Sequence, residues 1–133
     1  MDCKELLSAA RAVAPAAYAP YSGFRVGAAL LFEDGSVYTG VNVENRSYGL
    51  TICAERSAVT KAVGEGHRKI VAVAVSCPDA RYPVSPCGAC RQVLSEFSDP
   101  DCPVCFEDGE GKAVTTTLGE LFPYDALHDL KET

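Results

Sequence analysis

Three cysteines and one glutamate have the residue types and spacing of a catalytic metal site. Cys53-Ala54-Glu55 supplies one thiol and a carboxylate, and Pro86-Cys87-Gly88-Ala89-Cys90 supplies two more thiols. A structural zinc site uses four protein ligands, whereas a catalytic zinc site keeps three and leaves the fourth position to water or substrate. The sequence therefore predicts Zn²⁺ bound by Cys53, Cys87 and Cys90, with Glu55 free to take part in chemistry.

Both groups of cysteines fall at the starts of predicted helices. A thiol binds zinc as the thiolate, and free N–H groups at a helix start stabilise that charge by about 0.3–1 kcal/mol. Three thiolates around Zn²⁺ leave a net charge of about −1, which disfavours ionisation of a bound water. Arg56, next to Glu55, and Arg91, next to Cys90, are the candidates to hydrogen-bond the sulfurs and withdraw this charge.

A second Cys-x-x-Cys pair, Cys102 and Cys105, leaves a four-cysteine structural module open as an alternative. A single pair of this kind is as often two ordinary core cysteines as a metal site. The gap between the two pairs is shorter than in zinc ribbons, and the module leaves Cys53-Ala54-Glu55 unexplained. We therefore interpret Cys102 as a loop thiol and Cys105 as a core thiol, and we expect Cys3 and Cys77 to be ordinary thiols too.

The apolar pattern predicts the elements that position these groups. Strands and helices alternate after a leading hairpin, an order that builds a sheet covered by helices. The length of 133 residues, 47% of them hydrophobic, suits a single domain of residues 1–133. The predicted helices cover residues 4–18 with a break at Pro15, residues 51 to 64 or 66 with Thr51 as the cap, residues 87–97, and a stretch after Thr117; the predicted strands cover residues 24–32, 37–43, 70–75, 104–106 and 114–116.

Composition and charge restrict the partners. The chain has 18 acidic and 12 basic side chains, for a net charge of −6, and its arginines are scattered, so a phosphate backbone would find little to bind. No apolar run approaches the roughly 18 residues of a membrane span, and the N-terminus lacks the pattern of a secretion signal. Seven cysteines cannot all pair, and metal-binding thiols suit a reducing compartment. We expect a cytoplasmic protein that acts on a free small molecule, without nucleic acid or membrane partners.

Several motifs in order resemble the small, homotetrameric cytidine deaminases. A glutamate that binds no metal, followed by Pro-Cys-x-x-Cys, is the signature described for zinc deaminases. The resemblance implies a three-layer α/β/α sandwich around a five-stranded mixed sheet, zinc on the three cysteines, proton shuttling by Glu55, and subunits that complete one another's pockets. It covers almost the whole chain, through Tyr18-Ala19-Pro20-Tyr21-Ser22, Phe24-Arg25-Val26-Gly27-Ala28-Ala29-Leu30, Gly40-Val41-Asn42-Val43-Glu44-Asn45, Cys53-Ala54-Glu55-Arg56 and Pro86-Cys87-Gly88-Ala89-Cys90-Arg91-Gln92-Val93.

The resemblance also implies a set of substrate-binding residues. Asn42 and Glu44 would bind the ribose hydroxyls, Phe24 and Ala54 would lie beside the substrate, and Tyr48 would line the pocket of a neighbouring subunit. Positions 42 and 44 point the same way in an extended chain, so one amide and one carboxylate could grip a diol. Without the resemblance, Asn42 and Glu44 are more simply a polar strand exit, Phe24 a core residue and Tyr48 a loop residue.

The C-terminal region departs from the family pattern. The family usually places a phenylalanine shortly after Leu-Leu-Pro, where it covers the base of a substrate in the neighbouring subunit. Here the stretch is Leu121-Phe122-Pro123-Tyr124-Asp125-Ala126-Leu127-His128, with Ala126 or Leu127 at the corresponding position. Either Phe122 or Tyr124 replaces that ring, or the base is held differently.

The activity expected is hydrolytic deamination of cytidine and 2′-deoxycytidine to uridine and 2′-deoxyuridine, in pyrimidine salvage. The altered C-terminal stretch keeps open a sister zinc aminohydrolase that acts on blasticidin S or on a modified cytosine nucleoside. An alternative of another class is a zinc-stabilised binding module without catalysis. A polynucleotide editor is disfavoured by the acidic net charge and by the lack of an added nucleic-acid-binding element.

Overall fold

One mixed sheet of five strands forms the centre of the molecule. The computed structural model describes residues 1–132, with only the backbone described at Glu132; the predicted domain reaches Thr133, which lies outside the described residues. The strands are β1 (Gly27–Phe32), β2 (Val37–Val41), β3 (Ile70–Ser76), β4 (Pro103–Glu107) and β5 (Ala113–Thr117), in the spatial order β2-β1-β3-β4-β5. β3 and β4 run parallel and the other neighbouring pairs antiparallel, so the predicted five-stranded mixed sheet is confirmed.

Helices cover both faces of this sheet, which confirms the predicted three layers. The helix α1 (Cys3–Val13) lies on one face, where its side chains form a cluster with Ala29 of β1 and Ala74 of β3. The helices α2 (Ala54–Gly64) and α3 (Gly88–Glu96) lie on the other face and pack on the main core cluster. A single helical turn, α4 (Leu118–Leu121), follows β5.

The two central strands are apolar because both of their faces are covered. Alternate residues of a strand point to opposite faces. Leu30 of β1 and Val73 of β3 therefore join the core beneath α2 and α3, while the small Ala29 and Ala74 face α1. Gly27 lets α1 approach the sheet, since a Cβ at this position would lie 2.0 Å from the carbonyl oxygen of Ala10.

Three predicted boundaries differ from the structure. β1 begins at Gly27, not at residue 24, because the amide of Asn42 binds the backbone of the preceding segment. α2 begins at Ala54, and the prediction that Thr51 caps it is wrong: the N-cap is Cys53, and the Thr51 hydroxyl instead accepts a hydrogen bond from the N–H of Asn45. The predicted C-terminal helix is limited to α4 and a 3₁₀ segment, His128–Glu132.

Cys3 and Cys105 form a disulfide that joins the start of α1 to β4, so the expectation that both are ordinary thiols is wrong. Their positions are separated by 102 residues, and only the packing of α1 against the sheet brings them together. The pairing also removes Cys105 from the four-cysteine zinc module considered above. Cys102 is a free, buried thiol immediately before β4, and Cys77 is a free, buried thiol after β3.

No helix among residues 1–132 combines the length and the apolar character that crossing a bilayer requires.

Candidate active site

The three cysteines of the predicted metal site converge at the N-terminal ends of α2 and α3. Cys53 is the N-cap of α2 and Cys87 the N-cap of α3, and neither side chain caps its own helix, which leaves both sulfurs available. Cys90 lies in the first turn of α3 and is fully buried. The three Sγ atoms lie within 4.8 Å of one another.

Close contact between α2 and β2 fixes one side of this arrangement. A Cβ on Gly40 of β2 would lie 2.5 Å from the backbone nitrogen of Ala58 and 2.6 Å from the carbonyl oxygen of Ala54. Only glycine allows the strand and the helix to meet here. The start of α2, with Cys53 and Glu55, is therefore held against the end of β2, which leads to Asn42 and Glu44.

The spacing of the sulfurs fits a tetrahedral zinc ion. Two sulfurs that each lie about 2.3 Å from one ion at the tetrahedral angle are about 3.8 Å apart. The Sγ atoms of Cys53 and Cys87 lie 3.8 Å apart. Three thiolates supply three of the four positions, and soft sulfur ligands suit zinc. The residues present therefore fit a zinc ion with one open coordination position.

Arg56 supplies positive charge beside the sulfurs. Its Nη2 lies 3.5 Å from Cys53 Sγ and 3.5 Å from the carbonyl oxygen of Thr51. Its Nε is buried without a hydrogen-bond partner among the described residues. No carboxylate in the described part of the chain forms an ion pair with Arg56, so the sulfurs are the nearest counter-charge for this guanidinium.

The charges of the thiols are strongly linked in the cluster without an ion. A hydrogen bond from Cys90 and the guanidinium of Arg56 lower the pKa of Cys53, against the opposing effect of burial. The same hydrogen bond, together with burial and the charge of Glu55, raises the pKa of Cys90. The protein stabilises one negative charge by itself. A cation between the sulfurs would favour the thiolate form of all three.

Glu55 is a buried carboxyl group next to these sulfurs. It lies in the first turn of α2 and is 4% exposed. Burial raises its pKa to about 7, and the charge of Cys53 acts in the same direction, whereas interactions with Cys90 and Arg56 partly oppose the shift. A carboxyl group with a pKa near neutrality can both accept and donate a proton at the pH of a cell.

A cavity of about 150 Å³ opens beside Glu55. Asn42 reaches it from the end of β2, and its side chain is already hydrogen-bonded: Oδ1 accepts from the N–H of Val26 at 2.8 Å, and Nδ2 donates to the carbonyl oxygen of Phe24 at 2.8 Å. These bonds fix which end of the amide is the donor. The residues that line the cavity include Val26, Asn42, Cys53, Glu55, Val84 and Ser85.

A second groove shares Thr51 with this cavity and contains Glu44 and Tyr48. The carboxylate of Glu44 accepts hydrogen bonds from the backbone N–H groups of Tyr21 and Ser22 at 2.9 and 3.1 Å, and from the Ser22 hydroxyl at 2.5 Å. These hydrogen bonds lower the pKa of Glu44. Tyr48 is 78% exposed and packs edge-on against Tyr21.

The two remaining predicted substrate-binding residues, Ala54 and Phe24, lie in different surroundings. Ala54 is buried at the start of α2 and lines the first cavity. Phe24 is 43% exposed, and its carbonyl group binds Asn42. Sequence reasoning missed Val84 and Ser85, which line the cavity from the segment before α3. The only sequence signal for them was their position directly before Pro86-Cys87.

The expectation that Arg91 hydrogen-bonds the sulfurs is wrong. Its Nε donates to the carbonyl oxygen of Pro86 at 2.8 Å, its Nη2 to the Ser85 hydroxyl at 3.0 Å, and its Nη1 to the carbonyl oxygen of Leu121 at 2.7 Å. Arg91 therefore holds the segment that leads to Cys87, and joins it to the C-terminal part of the chain.

Comparisons with known proteins agree with this geometry. A cytidine deaminase from Halalkalibacterium halodurans is 50% identical over 123 residues, which are 92% of this chain and 92% of that protein. A blasticidin-S deaminase from Bacillus cereus is 39% identical over 105 residues, or 74% of each chain. The crystal structure of cytidine deaminase from Burkholderia pseudomallei superposes with a TM-score of 0.88 at 45% identity, covering 93% of this chain and 98% of that one.

The family defined by the cytidine and deoxycytidylate deaminase zinc-binding region matches residues 2–106, which include all three cysteines of the site and Glu55. This match spans most of the 133 residues. On this match and on the relative that is 50% identical over 92% of its length, the chain belongs to the cytidine and deoxycytidylate deaminase family.

Proposed function

We propose that this protein catalyses the zinc-dependent hydrolytic deamination of cytidine and 2′-deoxycytidine to uridine and 2′-deoxyuridine, with release of ammonia. The observation that carries the proposal is a buried carboxyl group, Glu55, beside three converging thiols, with Glu55, Cys53 and Cys87 lining a cavity. In this proposal Cys53, Cys87 and Cys90 bind Zn²⁺, with Arg56 supporting Cys53. Zinc supplies Lewis-acid activation of water, which lowers the pKa of the water towards neutrality.

Glu55 carries both protons of the reaction. It accepts the first proton from the attacking water and delivers it to ring N3 while the water oxygen bonds to C4 of the base. It then takes the second proton from the hydroxyl now bonded to C4 and passes it to the amino group as the C4–N bond breaks, so ammonia leaves, a carbonyl forms at C4 and the product retains the proton on N3. General acid–base catalysis of this kind contributes about 10²–10⁴ in rate.

Asn42 is prepared to bind a sugar hydroxyl. Its two hydrogen bonds to the backbone use one lone pair of Oδ1 and one hydrogen of Nδ2. One acceptor position and one donor remain for a ligand. Glu44, in the adjoining groove, is held in place by the backbone N–H groups of Tyr21 and Ser22. We assign the ribose hydroxyls to these two side chains, with Phe24 and Ala54 beside the substrate.

We assign the complete site, with residues from neighbouring subunits, to a homotetramer in the cytoplasm. Tyr21 and Tyr48 line the Glu44 groove and are exposed in the single chain, as are large apolar side chains next in sequence to its lining or close to it: Tyr18, Val43, Leu50 and Ile52. This number of exposed large apolar side chains supports burial by neighbouring subunits. Tyr124 is fully exposed, which supports its placement as the aromatic ring offered to a neighbouring pocket. Cys53, Cys87 and Cys90 are free thiols, which supports a reducing compartment, whereas the disulfide between Cys3 and Cys105 is the feature that argues against one.

Replacement of the proton carrier tests the proposal. Glu55→Gln keeps the shape of the side chain but cannot shuttle protons, so kcat for cytidine should fall by about 10²–10⁴ while zinc per chain stays unchanged. The matched control is Glu96→Gln, at the exposed C-terminal end of α3, which should keep wild-type kcat. Near wild-type turnover in Glu55→Gln would refute the assigned role.

A substrate panel separates the remaining candidates. Absorbance assays of cytidine, 2′-deoxycytidine, cytosine and blasticidin S, at equal zinc loading, should rank the two nucleosides first. The relative named blasticidin-S deaminase makes blasticidin S the second candidate. Preference for blasticidin S would replace the proposed substrate, and a zinc-loaded protein inactive on every compound would favour the binding module.

A further inference from the structure

An exposed ion pair near the cavity joins two segments that are far apart in the sequence. Both the backbone N–H and Nε of Arg25 donate to Oδ2 of Asp79 at 2.9 Å, and Nη2 donates to Oδ1 at 2.8 Å. One carboxylate thus binds the backbone and the side chain of the same residue. The position of Arg25 along the chain, and not only its side chain, is fixed relative to Asp79.

The pair lies where the ladder between β1 and β3 stops. The last paired residues are Gly27 and Ser76. Beyond them the chain that leaves β3 passes through Pro78, which has no N–H to donate. The Asp79 carboxylate provides the acceptor for the N–H of Arg25 at this point. The pair therefore extends the connection between the two chain segments past the end of the sheet.

Both connected segments line the substrate cavity. Val26, next to Arg25, forms part of its wall, and Val84 and Ser85 belong to the segment that runs from β3 to Cys87 and contains Asp79. The backbone around Val26 is held from the other side by Asn42, which binds the N–H of Val26 and the carbonyl oxygen of Phe24. The chain at residues 24–26 thus lies between Asn42 and Asp79.

The segment from β3 to Cys87 is also attached to other parts of the chain, beginning at its first residue, where the N–H of Cys77 donates to the carbonyl oxygen of Glu107 at 3.3 Å. The N–H of Gly109 donates to the carbonyl oxygen of Ala80 at 3.0 Å, and Arg91 binds Ser85 and Pro86 near the other end. These contacts attach the segment to the β4–β5 connection and to α3. The Arg25–Asp79 pair attaches the same segment to residues 24–26, the other part of the chain that lines the cavity.

The pair is poorly placed to contribute to stability and well placed to set geometry. The side chains are 48% and 24% exposed, and exposed ion pairs add only about 0–1 kcal/mol to folding. A shift of about 1 Å in a segment that positions substrate can change catalytic efficiency by about 10²-fold. A side-chain pair of low energetic value can therefore have a large kinetic effect.

We propose that Arg25 and Asp79 are positioning residues that set the separation of the two walls of the substrate cavity and so control nucleoside affinity. Neither residue contacts the reacting atoms, and the effect passes through Val26 on one side and through Val84 and Ser85 on the other. This inference rests on the proposed function for the nature of the ligand. The inference goes beyond the proposed function because it assigns the control of KM to specific residues.

Single and double substitutions test the assignment. Asp79→Ala and Arg25→Ala should each raise KM for cytidine by about 10-fold with kcat within about two-fold of wild type, the pattern of lost binding that is equal in ground and transition states. The double variant should be no worse than Asp79→Ala, which already removes the bond to the backbone N–H of Arg25 as well as both side-chain bonds, because residues in one contact are not additive. The milder Asp79→Asn keeps an acceptor for the N–H of Arg25 and should give an intermediate KM, which covers the case of an unstable alanine variant.

The matched control is Asp99→Ala, which removes the exposed ion pair between Lys69 and Asp99 at the opposite end of β3 and should leave KM unchanged. Raising salt from about 0.05 to about 0.5 M should increase the wild-type KM and leave that of Asp79→Ala constant, because exposed pairs are screened. A KM within about two-fold of wild type in both alanine variants would overturn the assignment. Additive increases of KM in the double variant would also overturn it. Losses of both kcat and Tm with an unchanged KM would do the same.

Calorimetric binding of uridine keeps this inference separate from the proposed activity. Its Kd should rise in Asp79→Ala by the same factor as KM. A wild-type protein that binds uridine but does not deaminate cytidine would refute the proposed function and leave the positioning role to be decided by the Kd values. Unchanged Kd in the variant would overturn the positioning role even if the enzyme is active.

Discussion

Two groups of cysteines, one on each side of the central sheet, differ in the bonds that their sulfurs form. Cys3 and Cys105 face each other between α1 and β4 and form a disulfide. Cys53, Cys87 and Cys90 lie within 4.8 Å of one another and remain thiols. The second group differs by its surroundings: two helix N-termini and Arg56 stabilise negative charge there, whereas Cys105 lies in an apolar cluster with Leu6 and Leu7. Proximity alone therefore does not decide whether sulfurs bond to each other or bind a cation.

The largest expected effect comes from removing a thiol of the second group. Cys53→Ser should abolish stoichiometric zinc and lower turnover by more than about 10²-fold, since even residues that only support metal ligands are worth about 10–100-fold. Zinc per chain by mass spectrometry and cytidine turnover measure the two outcomes. Cys102→Ala, a free thiol outside both groups, is the control and should keep its zinc. Full zinc occupancy in Cys53→Ser would contradict the ligand assignment.

The reciprocal change at the first group should affect stability and not chemistry. Cys3→Ser opens a covalent link across 102 residues, and loss of a disulfide lowers the free energy of unfolding by about 2–4 kcal/mol. Urea unfolding measures the loss, while zinc content and kcat should stay at wild-type values. A thiol reductant should lower wild-type stability to the level of the variant and leave the variant unaffected. Loss of zinc in Cys3→Ser would show that the two groups are coupled.

The smallest effect concerns the ion pair that lies near the disulfide. Burial raises the pKa of Glu107, but hydrogen bonds from Arg11 and Ser76 outweigh it and lower the pKa below 4.5. A lowered folded-state pKa adds stability above the unfolded value, which is lost as the pH falls through the folded value. Glu107→Gln should therefore be about 1.5 kcal/mol less stable than wild type near pH 7, and the difference should shrink below about pH 4.5.

Zinc release at acid pH affects both proteins equally, so the difference between wild type and Glu107→Gln isolates the pair. Urea unfolding at a series of pH values measures it. A difference that stays constant down to about pH 3 would mean that the charge of Glu107 contributes nothing.

The local motifs made the elements and the sulfur group predictable. The strands follow from apolar runs and the cysteines from spacing, both of which are short-range properties of the chain. The two arginines could not be told apart in this way. Arg56 follows Cys53 by three positions, so the two residues share one face at the start of α2. Arg91 follows Cys87 by four positions, so the same spacing rule also puts it beside a ligand sulfur, but its guanidinium binds Pro86, Ser85 and Leu121 instead.

Long-range pairings could not be read from the sequence. Cys3 and Cys105 meet only because α1 packs across the sheet. The sequence placed Asn42 and Glu44 on one side of an extended chain, and the structure shows both facing residues 21–26. Their hydrogen bonds to the backbone there depend on the turn before β1, which the apolar pattern did not resolve.

The contact at Gly40 makes the geometry of the site a property of the main chain. Peptide atoms of β2 and α2 meet directly there, with no side chain between them. Substitutions in the core during evolution change side-chain volumes, but at this junction no side chain separates the two elements. Asn42 and Glu44 follow β2, and Glu55 lies at the start of α2. The distance between the sugar-binding and proton-transferring residues is therefore unaffected by the changes in side-chain packing that alter most protein interiors during evolution.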